Sequence, residues 1–158
     1  MNIVLNRVDE RLIHGQVLIS WAKKLQAQCI LVVDDLLARD RFARSVLSMT
    51  VPGNLELRIL EAEEGSAYLR KEVNMTGPDT ILLARNPQVF QYLLENGYQP
   101  TSINIGTMAP GENRYHLRRG IYVSDQDIAI FRAFLEQGID VYLQMTYSES
   151  RLSIKELL

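Results

Sequence analysis

The part of the chain best equipped for chemistry reads Arg7-Val8-Asp9-Glu10-Arg11-Leu12-Ile13-His14-Gly15-Gln16-Val17. It holds one of only two histidines, and a neutral imidazole nitrogen is a competent nucleophile near pH 7. Gly15 relaxes the backbone just after His14, and an apolar helical pattern begins directly behind it. The first-turn amides of that helix would aim partial positive charge at the imidazole, which suits a phosphate. Arg7 and Arg11 could converge on an anion as forked donors, and Asp9 could orient the ring by accepting one N–H. Gly15 and Gln16 join Arg7 as candidate phosphate binders. Together these parts describe a histidine that accepts a phosphoryl group, with the oxygen charge balanced by donors already in place. A protein donor of an activated phosphoryl group would make a metal unnecessary. ATP as donor would call for a nucleotide cradle and magnesium ligands, and no such cradle is legible in the chain. Taken singly, His14 reads as a hydrogen-bonded surface histidine, the arginines as solvated or salt-bridged, and Asp9 as a turn cap. Only their crowding carries the chemical reading.

The elements that must position this loop follow from hydrophobic period. Strand-like runs lie at Ile3 to Val8, Ile30 to Asp34, Leu55 to Leu60, Thr80 to Ala84, Ser102 to Ile105, Ile121 to Val123 and Ile139 to Met145. Between them stand helical patterns, such as Val17, Leu18, Trp21 and Leu25, then Phe42, Val46 and Met49, each predicted to line one face. Asn86 before Pro87 reads as a helix cap with Gly97 as its stop. Ser124 with Asp127 reads as a capping box with Gly138 at the far end. Thr80 to Ala84 is apolar without alternation, as in a parallel sheet covered on both sides. The expected fold is therefore α/β, a single domain over residues 1–158 with a largely parallel, about seven-stranded sheet and helices on both faces. Ligands of such sheets bind beyond the carboxyl ends of the strands, here in the loops after the first, second and fifth.

Composition agrees. The chain has 158 residues, 47% hydrophobic and 23% charged, which excludes disorder as the main state and suffices for one core. At this length a fold buries roughly 70% of its unfolded surface without needing disulfides or a structural metal. The 17 basic and 19 acidic residues leave a net charge of −2, so no global field attracts nucleic acid or an anionic membrane. No apolar run approaches the ~20 residues of a membrane span, and no leader-like pattern opens the chain, so a cytoplasmic location is expected.

Four further signals carry less. Gly106-Thr107-Met108-Ala109-Pro110-Gly111 has the glycine spacing of a phosphate loop, but Glu112 stands where lysine should follow and Pro110 lacks an amide donor. Nucleotide binding is rejected, and Gly106 and Thr107 are kept as phosphate-binding candidates at the edge of the fifth strand. Asp34 and Asp35 could do acid/base or metal chemistry, but capping of a helix by Asp35 is favoured. Asn113 to Arg119 is a basic run with an aromatic, usually a solvated face; nucleic-acid binding is improbable on a net acidic chain, and the run could alternatively form a collar that docks a phosphorylated partner protein. Zinc held by His14 and His116 is disfavoured because neither lies in a paired His or Cys motif. Cys29 opens an apolar run and reads as a buried thiol. Trp21, Phe42, Phe90 and Phe131 are expected in the core.

The eleven residues Arg7 to Val17 closely resemble the phosphorylation-site motif of the mannose/fructose/sorbose family of sugar phosphotransferase system (PTS) IIB components. The resemblance continues through Val33-Asp34-Asp35-Leu36-Leu37-Ala38-Arg39-Asp40, Ala84-Arg85-Asn86-Pro87 and Asn104-Ile105-Gly106-Thr107-Met108. It implies a largely parallel sheet flanked by helices and a cytoplasmic subunit peripheral to a membrane permease. Such a subunit takes a phosphoryl group from a phosphohistidine on a IIA component and passes it to a sugar entering through IIC and IID. The phosphoryl group comes ultimately from phosphoenolpyruvate, and neither cofactor nor metal is implied. His14 falls on the phosphorylated histidine, with Nδ1 accepting, and Asp9 and Arg11 fall on motif positions beside it. Thr107 stands where the family often has a second glycine, and Gln144 where some relatives carry arginine. Two other readings compete. One is a phosphorylation-dependent sensor of the same fold that never passes phosphate to sugar. The other is an acid/base hydrolase using His14 and Asp9 without a protein donor.

Overall fold

A computed structural model describes the whole chain apart from the side chains of Gln16 and Val17. The strands are β1 (Asn2–Asp9), β2 (Cys29–Val33), β3 (Glu56–Leu60), β4 (Asp79–Ala84), β5 (Ser102–Thr107), β6 (Tyr115–Arg118), β7 (Ile121–Val123), β8 (Asp140–Leu143) and β9 (Leu152–Ser153). The helices are α1 (Gly15–Leu25), α2 (Asp35–Arg39), α3 (Arg41–Thr50), α4 (Ala62–Glu72), α5 (Pro87–Glu95) and α6 (Asp125–Glu136). Seven strands form one sheet in the order β3-β2-β4-β1-β5-β8-β9, parallel except for β9, which runs antiparallel to β8. This is the expected α/β class.

The membership of the sheet differs from expectation in one place. Ile121–Val123 pairs not with the main sheet but with Tyr115–Arg118, in a separate two-stranded hairpin. The seventh strand of the main sheet is β9, two residues too short to show any alternation. The basic run thus becomes β6. It lacks a hydrophobic run because three of its four residues face solvent. The hairpin is stitched to the end of β5 by Met108 N–H to Gly120 O and Tyr122 N–H to Met108 O, both 3.0 Å.

Continuous apolar strands arise because both faces of the sheet are covered. In β2, Ile30 and Val32 point to one side and Leu31 and Val33 to the other; in β4, Ile81 and Leu83 oppose Leu82 and Ala84. One layer packs Leu69 of α4, Phe90 of α5 and Phe131 of α6 against the sheet. The other packs Leu18 and Trp21 of α1 and Leu37 of α2. The capping signals appear as expected: Asn86 Oδ1 accepts from Val89 N–H, Ser124 and Asp127 form a reciprocal box, and Gly138 has φ +80°.

One core assignment is corrected. Phe42 and Met49 are 80% and 84% exposed, and Val46 is exposed beside them. Helix α3 carries two apolar sectors with the same helical period, and the sheet receives Ala43 and Leu47 rather than Phe42, Val46 and Met49. Period alone cannot choose between sectors. Phe42→Ala is therefore expected to leave unfolding free energy within about 0.5 kcal/mol. Phe131→Ala, emptying a fully buried site, should cost about 3–5 kcal/mol in denaturant titrations.

Cys29 is buried as expected, and desolvation pushes its thiol from near 9 up to about 11. The fold favours the neutral thiol, so its contribution is complete below pH 9 and declines as pH rises toward 11, where the unfolded chain ionises first. Native protein should resist alkylation at pH 8 and react fully once unfolded, as intact-mass measurement would record.

Candidate functional site

The topology selects the edge where a site forms. From the carboxyl end of β1 the chain turns through α1 toward β2. From the end of the adjacent β5 it leaves in the opposite direction toward β8. A crevice opens where neighbouring strands diverge in this way. Asp9 and Thr107 face each other across it as ladder partners.

The loop that follows β1 is pinned from below. Leu12 N–H donates to Asp9 O at 2.9 Å, closing a tight turn, and Leu12 adopts φ +53°. That left-handed conformation costs about 1–2 kcal/mol for a side chain with a Cβ, and burial of Leu12 and Ile13 in the α1 layer offsets it. Glu10 is half-buried, while Arg11, His14 and Gly15 remain exposed. His14 is the N-cap of α1 and makes no side-chain capping bond, so the first-turn amides of α1 have no side-chain acceptor from it. No acidic residue occupies that first turn. Gly15 takes φ +47° with open space around it, leaving the backbone accessible beside the imidazole. The expectation for Gln16 concerns a side chain that lies outside the described residues.

Arg7 does something else than expected. Its side chain is 1% exposed, and all four terminal N–H groups are spent: Nη1 on Asn104 Oδ1 and Gln144 O, Nη2 on Asp9 Oδ2 and Met145 O. The guanidinium also lies 5.5 Å from the Trp21 ring centre, and Trp21 Nε1 donates to Met145 O as well. Burial draws the affinity of Arg7 for its proton down, and Asp9 opposes that by charge and hydrogen bonding. The anion that Arg7 and Arg11 share is the Asp9 carboxylate, and Arg7 keeps no terminal N–H for an external phosphate. Arg7 is the buried strut that joins β1 to β5 and to the segment after β8.

Asp9 is likewise redirected. Its Oδ2 accepts from Arg7, and its Oδ1 accepts from Thr107 Oγ1 at 2.7 Å and from Arg11 N–H at 3.2 Å. The carboxylate orients Arg7 and the turn, not the imidazole. Gly106 also has a structural reason. A Cβ there would lie 2.9 Å from Arg7 Nε and closer still to Cζ and Nη2, so the glycine makes room for the guanidinium. Thr107 spends its hydroxyl on Asp9 in a buried position. Arg11 keeps the expected accessibility: its side chain is 38% exposed, with Nε 3.9 Å from Asp9 Oδ1.

Arg85 is the residue that the reading of the sequence left without a role. Its Nε donates to Asp34 Oδ2 at 2.9 Å and its Nη1 to Glu10 O at 3.2 Å, tying the first loop to the end of β2. Strand order alone reveals this, because β4 lies between β2 and β1. The cap of α2 is also corrected: Asp34, not Asp35, accepts from Leu37 N–H, while Asp35 Oδ1 accepts from Ala62 N–H. Gln144 donates from Nε2 to the carbonyls of Tyr147 and Glu149 and so shapes the loop before β9. Among the described residues, no three His, Cys, Asp or Glu side chains gather as a metal site, and no helix is long and apolar enough to cross a membrane.

The fold is a doubly wound sheet whose carboxyl edge carries an exposed histidine at a helix start and, at the ends of β1 and β5, a buried Arg-Asp-Thr network. The family model described as PTS system sorbose subfamily IIB component matches residues 3–158, and the chain belongs to that family. It is 30% identical over 149 residues to the N-acetylgalactosamine-specific phosphotransferase enzyme IIB component 1 of Escherichia coli (strain K12), covering 90% of each chain. Over its full length it is 28% identical to the mannose-specific EIIAB component of the same strain, spanning 49% of that longer protein. Among solved structures, the IIB domain of the sorbose permease from Klebsiella pneumoniae superposes with a TM-score of 0.92 at 28% identity. That likeness covers 99% of this chain and 95% of the other.

Proposed function

We propose that His14 is a transient carrier of phosphorus: it accepts a phosphoryl group from a phosphohistidine on a IIA protein and donates it to a sugar. In the first step Nδ1 of neutral His14 attacks phosphorus, the bond to the donor histidine breaks, and a phosphohistidine forms here. In the second, a sugar hydroxyl attacks, the phosphorus–nitrogen bond breaks, the hydroxyl proton is lost, and His14 is regenerated. This is the reaction of a protein-N(π)-phosphohistidine–sugar phosphotransferase. The observation that carries the reading is the exposed imidazole at the uncapped start of α1, where amides and the partly exposed Arg11 can meet phosphoryl oxygens. Exposure also lets two different macromolecules reach the ring in turn. The name of the mannose relative, an EIIAB protein, supports a IIA partner.

The sugar enters, in this reading, through membrane IIC and IID subunits, and the protein works in the cytoplasm at the periphery of that permease. The phosphoryl group derives from phosphoenolpyruvate through the general phosphotransferase proteins, with no metal or cofactor on this chain. The relatives bear the names of N-acetylgalactosamine, mannose and sorbose, so the choice of sugar is left open. The test is incubation with phosphoenolpyruvate, the general proteins and a matching IIA, followed by peptide mass mapping under alkaline conditions that spare phosphohistidine. A phosphoryl group on His14 is expected. Mapping to another residue, or none with a donor that labels an authentic IIB, would sink the proposal.

A further inference from the structure

A cleft of about 710 Å³ opens at the same sheet edge, between the β6–β7 hairpin and the segment that joins β8 to β9. Its floor is Ile105, Gly106, Ile121 and Leu143, and His14 is not among its walls. The two ends differ in chemistry. On the hairpin side stand Arg118 and Arg119, both exposed and neither in an ion pair among the described residues. On the other side stand Glu149 and Ser150.

That second end is preorganised. Gln144 Nε2 holds the carbonyls of Tyr147 and Glu149, and Glu149 Oε2 accepts from Met145 N–H at 3.1 Å, which leaves Oε1 to accept from a ligand. A carboxylate beside a serine is a hydroxyl-binding pair, whereas it repels a bare anion. Two guanidinium side chains at one end of the cleft suit a phosphate monoester. The volume falls in the range of small-molecule sites and far exceeds what phosphate alone would fill. A ligand matching both ends must carry phosphate at one side and hydroxyls at the other.

The geometry points to this cleft as a binding site for a phosphorylated polyhydroxy compound of sugar-phosphate size, separate from His14. Phosphate lies between Arg118 and Arg119, and the hydroxyls meet Glu149 and Ser150. The site does not depend on phosphoryl transfer by His14, so its fate and that of the relay reading can be told apart.

The experiment titrates the full chain with glucose 6-phosphate, glucose and inorganic phosphate. The readouts are calorimetry and the amide resonances of Gly106 and Gly120, the glycines in the cleft wall. Saturable binding of glucose 6-phosphate is expected, at least tenfold tighter than either fragment, with both glycine resonances shifting. The Arg118→Gln/Arg119→Gln variant should weaken it at least tenfold, and Ser150→Tyr should block it by filling the cleft. Both sites are exposed, and an unchanged Tm confirms that the variants fold. His14→Ala should bind as the parent does. No saturable binding at millimolar ligand, equal affinity for inorganic phosphate, or affinity unchanged in both cleft variants would each overturn the assignment.

Discussion

Replacing Arg7 with methionine is expected to cost about 3–5 kcal/mol of unfolding free energy, the scale at which one partner of a buried ion pair is removed. The guanidinium is fully enclosed and serves four acceptors on three separate segments. Without it, Asp9, 3% exposed, keeps only Thr107 Oγ1, the Arg11 amide and a guanidinium 3.9 Å away. The carbonyls of Gln144 and Met145 lose charged donors as well. A domain of this size has only about 5–15 kcal/mol in total, so the variant should unfold at much lower denaturant and express poorly. Changing both Arg7→Met and Asp9→Leu should recover part of the loss, because no buried carboxylate is then left unpaired. Denaturant midpoints of the single and double variants measure that coupling. If the single change cost less than about 1 kcal/mol, Arg7 would have to be a solvated residue.

His14→Ala is expected to give the opposite profile, complete loss of phosphoryl incorporation with little loss of stability. The ring is exposed and makes no side-chain capping bond. Its removal should therefore shift unfolding free energy by no more than about 0.5 kcal/mol. Incorporation from a competent IIA donor should fall to background, because no second imidazole is placed at the start of α1. His116 lies on β6, with its ring edge-on to Tyr122. A His14→Ala protein that still becomes phosphorylated to the same extent would remove His14 from the chemistry. Opposite outcomes at Arg7 and His14 separate residues that build the edge from the residue that reacts there. Gly106 belongs with Arg7, since any Cβ would enter the space of the guanidinium.

Local and periodic information was legible in the chain. The continuous runs at Ile30 to Asp34 and Thr80 to Ala84 announced a parallel sheet covered on both faces, and the caps at Asn86 and Ser124 located two helix starts to the residue. The eleven residues from Arg7 to Val17 marked the loop where chemistry would be sought. These features are encoded within a few residues of one another, by side-chain alternation and by hydrogen bonds that reach three positions along the chain.

The tertiary structure decided which polar side chains face solvent and which are spent inside. Arg7 and Arg11 are equal as residue types and four positions apart. Yet the inward side of β1 buries the first against Asn104, Gln144 and Met145, while the turn after β1 lifts the second to the surface. Those partners lie 97 to 138 residues away, and only strand order brings them together. In the same way Ala43 and Leu47 took the sheet in place of Phe42 and Met49, and Leu152–Ser153 completed it in place of Ile121–Val123. In none of these cases does the local pattern decide, because the partners that bury or pair each residue come from distant segments of the chain.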